Sequence, residues 1–234
     1  MSRTRPDELD KHWGMNCNLR AVVFDFDYTL ADSSKGIVEC VNHALVRLQL
    51  LTVPAERVYP LIGLSLTDMF VRLQGADDDS RAGEFSRLFI EHADRVMGEL
   101  TVIYDWVPAT IARLKSLELS LGIVSTKFRY RIEAILKREK LIEAFGIIVG
   151  GEDVSEFKPH PEGLLKAVRA LRCAPQDAVY VGDSPVDAET AERAGVPFVA
   201  VLSGVTPREG FASRPRCAIL QNIAELPLLL ESAT

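Results

Sequence analysis

Asp25 and Asp27 follow the apolar run Ala21, Val22, Val23, Phe24 in the stretch AVVFDFDYTL. A short, β-branched run without polar alternation reads as a strand buried on both faces, which puts the two acids at its carboxyl end. One ionised carboxylate buried there is costly unless a cation or several donors meet it, and a second acid two residues on roughly doubles the demand. The pair therefore calls for positive charge at that strand end. Three further polar signals close apolar runs: VST at 124–126, FKP at 157–159 and GDSPVD at 182–187. Ser125 precedes Lys158 by 33 positions and Lys158 precedes Asp183 by 25. Each interval is close to one βαβ repeat of roughly 30 residues, so the three share one sheet edge with the opening acids.

The elements that must hold them there are legible. After 21–24, apolar runs recur at 119–125, 145–151, 177–183 and 197–204, and helical patterns lie between them at 107–117, 130–137, 161–171 and 186–194. This alternation predicts an α/β fold, a Rossmann-like doubly wound parallel sheet, with ligands beyond the carboxyl ends of the strands. In AERAGVP, Gly195 and Pro197 give the last helix its stop signal. Asp27 and Ser125 are 98 positions apart, too far for one crossover, so an insertion follows the first strand. Within it, GIVECVNHALVRLQ and FSRLFIEHADRVMGEL carry apolar residues at helical spacing. The expected organisation is a tail at 1–19, an α/β core at 20–32 and 101–234, and a small inserted helical cap domain at 33–100. The acidic ADDDS at 76–80 reads as a solvated loop.

Bulk properties narrow the partners. The chain has 234 residues, 47% of them apolar, enough for one sizeable core with a smaller companion, and its net charge of −6 argues against binding a nucleic-acid backbone. The basic run KFRYRIEAILKREK also carries Glu133 and Glu139 and reads as a solvated helix face. Cys17, Cys40, Cys173 and Cys217 show neither a disulfide framework nor zinc-ligand spacing, which fits a reducing cytoplasm. No apolar stretch approaches the roughly 20 residues of a membrane span, and the first 20 residues lack the apolar centre of a secretory signal. Oligomeric state leaves no trace.

Together, DFDYT, VST, FKP and GDSPVD, in this order at strand ends, resemble the four motifs of the haloacid dehalogenase superfamily of phosphotransferases, over about residues 20–225. The resemblance implies Asp25 as a nucleophile that becomes an aspartyl-phosphate, and Asp27 as the acid that protonates the leaving oxygen and later takes a proton from water. Ser125 would donate to a phosphoryl oxygen, and Lys158 would hold charge at both nucleophile and phosphate. Mg²⁺ would be held by the Asp25 side chain, the Asp27 main-chain carbonyl and Asp183, with Asp187 and Ser184 supporting from behind. Thr29, Thr126 and Lys127 are implied as substrate-binding, Lys127 because STK resembles the TNK of phosphoglycolate phosphatases and related pyrophosphatases. Asp32 reads either as a helix N-cap or as the DS that the family's phosphatases often carry; Asp187 has an N-cap reading too.

The inserted helices resemble the cap of phosphoglycolate phosphatase, pyrophosphatase, β-phosphoglucomutase and the dehalogenases. Asp27 disfavours a dehalogenase, which lacks the second acid, and a phosphonatase, which has Ala or Gly there. LIGLSLTDM resembles the IG-x-x-L cap segment of phosphoglycolate phosphatases, whereas Tyr104 and Asp105 replace their usual Pro-Gly, so the return from the cap is expected to differ. The expectation is a Mg²⁺-dependent, phosphoglycolate phosphatase-like hydrolase of small phosphomonoesters. The alternatives are a sugar phosphomutase, a pyrophosphatase, or a non-catalytic protein of the same fold.

Overall fold

The computed structural model describes residues 18–75, 80–211 and 217–232. The expected tail at 1–19 lies almost wholly outside them, as does most of the ADDDS run. In chain order the elements are β1 (Ala21–Phe24), β2 (Ala31–Asp32), α1 (Ser34–Arg47), α2 (Ala55–Val58), α3 (Leu66–Gln74), α4 (Ala82–Leu100), β3 (Val102–Ile103) and α5 (Val107–Ser116). There follow β4 (Ser120–Val124), α6 (Arg129–Arg138), β5 (Ile147–Val149), α7 (Glu162–Ala170), β6 (Ala178–Gly182), α8 (Pro185–Ala194), β7 (Phe198–Val201), β8 (Cys217–Leu220) and α9 (Leu226–Ser232). Six strands form one parallel sheet in the order β5-β4-β1-β6-β7-β8. The apolar runs of the sequence point to five; β8 escapes that reading because its CAIL has a single β-branched residue.

Strand β1 is central, and all four of its residues are buried. Val22 and Phe24 join the apolar layer containing Ile111, Ile132 and Leu229, while Ala21 and Val23 join the opposite layer with Leu164 and Ala191. The two-residue strand period thus feeds both faces of a doubly wound sheet. Partners β4 and β6 lie on either side, so the chain order reverses direction across β1. A crevice opens at such a switch point, beyond the carboxyl ends of the strands.

The helices between β2 and β3 have a separate apolar cluster that includes Cys40, Leu45, Phe70, Phe85 and Met97. Gly36 lets α1 and α4 approach closely, since a Cβ there would lie 2.9 Å from Met97 Sδ. The chain leaves and re-enters the α/β layers side by side. Ala31 and Asp32 pair antiparallel with Ile103 and Val102, and buried Thr101 Oγ1 donates to Ser33 Oγ at 3.1 Å. Tyr104 N–H donates to the Leu30 carbonyl (3.1 Å), so the altered return segment is held through its backbone. Asp32 is not the N-cap of α1, which is Ser33; its Oδ1 nevertheless accepts from Ser34 N–H at 2.8 Å.

Tyr28 stands at the exit of β1 with φ of 62°, a left-handed conformation that costs a side chain roughly 1–2 kcal/mol. Its ring is buried in the cluster of the inserted helices, and its carbonyl accepts from Ser203 Oγ at 2.6 Å. Tyr28→Gly is expected to relieve the backbone but to give up aromatic burial that outweighs this relief, a net loss of about 2 kcal/mol in urea unfolding. An unchanged or raised midpoint would mean that the strain outweighs the packing.

Candidate active site

The Asp25 N–H donates to the Val181 carbonyl at 2.8 Å and the Ser125 N–H to the Val149 carbonyl at 3.0 Å. Each residue thereby prolongs its strand by one step, with its backbone fixed and its side chain facing the crevice end. Asp183 stands directly after β6. Lys158 arrives from the loop before α7, and its Nζ lies 2.8 Å from Asp25 Oδ1 and 2.7 Å from Asp187 Oδ1. All four of Asp25, Lys158, Asp183 and Asp187 are buried.

The Asp187 carboxylate is gripped on every side. Its Oδ1 also accepts from Tyr180 Oη (2.9 Å), and its Oδ2 from Ser184 N–H (3.2 Å) and Ser184 Oγ (2.5 Å). Ser184 is the N-cap of α8 and Asp187 its third helical residue, so the two close a capping box. Asp187 therefore does both jobs weighed from sequence: it helps to cap the helix, though not as the N-cap itself, and it holds Lys158.

Asp25, Asp183 and Asp187 each place a carboxylate oxygen within 4.8 Å of the others. Three carboxylates against one ammonium leave a surplus of two negative charges. Burial pushes the Asp25 carboxyl up to about 7, with Lys158 pulling the other way, and burial beside Asp187 and Asp25 holds Asp183 well above the ordinary range. Burial by itself would lower the Lys158 ammonium, but Asp187 and Asp25 outweigh it and hold the group protonated. Asp25 Oδ1, although at ion-pair distance from Lys158, has no well-directed donor, and buried Asp27 Oδ1 has none either. Since Asp187 has its acceptors occupied, Asp25 and Asp183 remain as the free oxygen ligands, a set that suits a hard divalent cation.

Asp27 belongs to a different neighbourhood. Its Oδ1 lies 3.1 Å from Lys127 Nζ, and both side chains are buried. Ser125 Oγ accepts from Lys127 N–H at 3.3 Å, and Thr126 Oγ1 donates to the Gly63 carbonyl at 3.2 Å, across to the inserted helices. Thr29 is fully buried and its Oγ1, like Asp25 Oδ1 and Asp27 Oδ1, has no hydrogen-bond partner. Two participants escape a reading of the sequence alone. Tyr180 looks like core in DAVYVGD; its signal is a hydroxyl on an otherwise aliphatic strand, which needs a buried partner. Gly204 packs against the acidic group, and a Cβ there would fall 2.0 Å from Asp183 Oδ2; at Gly182 it would meet Asp187 Cγ at 2.5 Å. Gly204→Ala is expected to displace Asp183 and weaken divalent-cation uptake about 10-fold or more in calorimetry, whereas Gly83→Ala, facing open space, leaves it unchanged. Equal uptake by the two variants would detach Asp183 from the cation.

Comparison with known proteins agrees with this arrangement. The model of the haloacid dehalogenase-like hydrolase family matches residues 22–201. The chain is 31% identical over 230 residues to phosphoglycolate phosphatase of Escherichia coli, covering 89% of this chain and 91% of that protein. It is 32% identical to the Salmonella typhimurium enzyme of the same name, over 83% of this chain and 86% of that one. A solved haloacid dehalogenase-like hydrolase from Bacteroides fragilis superposes with a TM-score of 0.85 at 38% identity, covering 89% of this chain and 99% of that chain. With the parallel sheet and the acids gathered at its switch point, these likenesses establish that the chain belongs to the haloacid dehalogenase-like hydrolase family.

Proposed function

We propose that the protein is a Mg²⁺-dependent phosphatase that hydrolyses small phosphorylated metabolites through an aspartyl-phosphate on Asp25. The observation that carries this reading is the buried group of Asp25, Lys158, Asp183 and Asp187, with Asp27 two residues from the nucleophile but paired to a different lysine. The likeness to phosphoglycolate phosphatases over most of the chain supports it.

Attack by an Asp25 oxygen on phosphorus forms the acyl-phosphate bond as the bond to the leaving alcohol breaks. Lys158 sits beside that oxygen, so the ammonium orients Asp25 and attracts the incoming phosphoryl group. Ser125 would add a hydroxyl donor to a phosphoryl oxygen. Asp27 delivers its proton to the departing alkoxide, then removes one from the water that attacks the acyl phosphate and restores Asp25. Lys127 holds Asp27 in place and, on the other side of the acid, faces the alcohol portion. Bound Mg²⁺, held by Asp25 and Asp183 with the Asp27 carbonyl, would supply the two positive charges that the site lacks and keep both carboxylates ionised. Residues 33–100 act as a cap that limits water to the hydrolytic molecule. The free Cys40 and Cys173 thiols suit a reducing cytoplasm. Among the described residues no helix is long and apolar enough to cross a membrane.

Asp25→Asn is expected to lower turnover of p-nitrophenyl phosphate with Mg²⁺ by at least about 10³-fold without loss of fold. Near wild-type turnover would remove Asp25 as nucleophile. Beryllofluoride, which imitates an acyl phosphate, should inhibit the wild-type enzyme competitively in the presence of Mg²⁺; insensitivity would count against the covalent route. Asp187→Asn keeps the capping geometry but removes the charge facing Lys158, so a 10- to 100-fold fall in kcat is expected. Unaltered kcat would leave Asp187 with its capping role alone.

A further inference from the structure

A cavity of about 270 Å³ begins at Asp27 and Lys127 and extends between the α/β layers and the inserted helices. Beyond its mouth the wall is formed mainly by apolar side chains, among them Ile37, Met69, Phe89, Ile90, Met97 and Phe128. Three of its four hydroxyls are engaged within the protein. Ser65 Oγ donates to Asp68 Oδ2 (2.6 Å), Ser86 Oγ to the Ala82 carbonyl (2.8 Å) and Thr126 Oγ1 to the Gly63 carbonyl (3.2 Å). Of its two cations, Lys127 is matched by Asp27, and Arg131 is bound to Asp94 and the Ile90 carbonyl while lying over the Phe128 ring at 5.1 Å. Asp27 is the sole carboxylate on the wall among the described residues.

A leaving alcohol protonated by Asp27 has to extend into this space. A two-carbon acid such as glycolate would fill only a small part of it, beside Lys127, and would leave most of the apolar wall uncovered. An apolar cavity of about 150 Å³ admits a benzene ring. The present one is larger, continuous with the acid, and walled mostly by apolar side chains, which suits an organic body of ring size or more.

We infer that the enzyme prefers phosphomonoesters whose alcohol carries an apolar body, aromatic or branched aliphatic, to phosphorylated two-carbon acids. The inference rests on the phosphomonoesterase reading above and deepens it. Ile37, Met69, Phe89 and Ile90 are then the residues that set specificity, with the inserted helices supplying the alcohol's binding surface while the sheet edge supplies the chemistry.

The test is phosphate release by the full-length enzyme with Mg²⁺ from ethyl, butyl, hexyl, benzyl and 2-phenylethyl phosphate, beside 2-phosphoglycolate. The leaving alcohols of the uncharged series are similar in basicity, so differences in kcat/KM report binding of the alcohol. A rise of roughly threefold per methylene along the alkyl series is expected, with benzyl phosphate at least about 10-fold above phosphoglycolate. A flat series, or phosphoglycolate equal to or above benzyl phosphate, overturns the inference while leaving the phosphatase intact. No release from any of these esters nor from p-nitrophenyl phosphate overturns the phosphomonoesterase reading as well. Ser86→Leu, which projects four carbons into the cavity, should lower the benzyl-to-ethyl ratio of kcat/KM about 10-fold. This ratio is independent of the amount of folded enzyme, and an unchanged value would place the alcohol elsewhere.

Discussion

Three aspartates and one lysine share the switch point of a parallel sheet, and most of the architecture answers the electrostatic problem they create. Lys158 is held by two acids at once, and that double contact keeps a buried ammonium charged. Removing water from so many like charges costs several kcal/mol per ion unless the remaining lone pairs are met. Tyr180 and Ser184 meet those of Asp187, and glycines at 182 and 204 leave room for the carboxylates to sit where they do. The carboxylates of Asp25 and Asp183 are left underserved, which is the state expected of groups that bind a cation and a transferring group.

Two acids only two positions apart are given different surroundings. Asp25 faces the anionic cluster, and Asp27 faces Lys127 and the mouth of an apolar cavity. The negative surroundings of Asp25 disfavour its ionised form, a demand that a bound cation would answer, whereas Asp27 already has an ammonium beside it. The turn that separates them is built on the left-handed Tyr28, whose ring is committed to the helical unit. The position of this turn and the packing of the inserted helices are thus tied to the same residue.

Much of the fold was legible because buried parallel strands are written as short aliphatic runs, and 21–24, 178–182 and 198–201 are unambiguous examples. Boundaries were legible where an end has its own chemistry, as at Gly195, whose φ of 68° closes α8. The sixth strand was not: Cys217–Leu220 is as long as β1 and β7 but contains a single β-branched residue, Ile219, where each of those has two valines. For the site, Asp25, Ser125 and Asp183 announced themselves by being polar where a strand ends, whereas Lys158 comes from the loop between β5 and α7 rather than from a strand end. Tyr180, which steadies Asp187, is polar at one atom only and lies inside a strand. The apolar cavity was hidden for a further reason: Phe89, Ile90 and Met97 have the same helical spacing as residues that merely pack, and only the meeting of two units shows which of them face a void.

The placement of β1 bears on how the chain reaches its native state. It is the central strand, yet Ala21 pairs with Ser120 on one side and Ala178 on the other. This apolar strand thus takes its sheet partners from segments 99 and 157 positions downstream. Between them α1, α3 and α4 pack on one another, and Thr101 meets Ser33 where the insertion leaves and rejoins the sheet layers. That shortens the effective loop which sheet pairing must close. The inserted helices therefore double as a tie across a long connection, bringing the exit from β1 and the approach to β4 to one place.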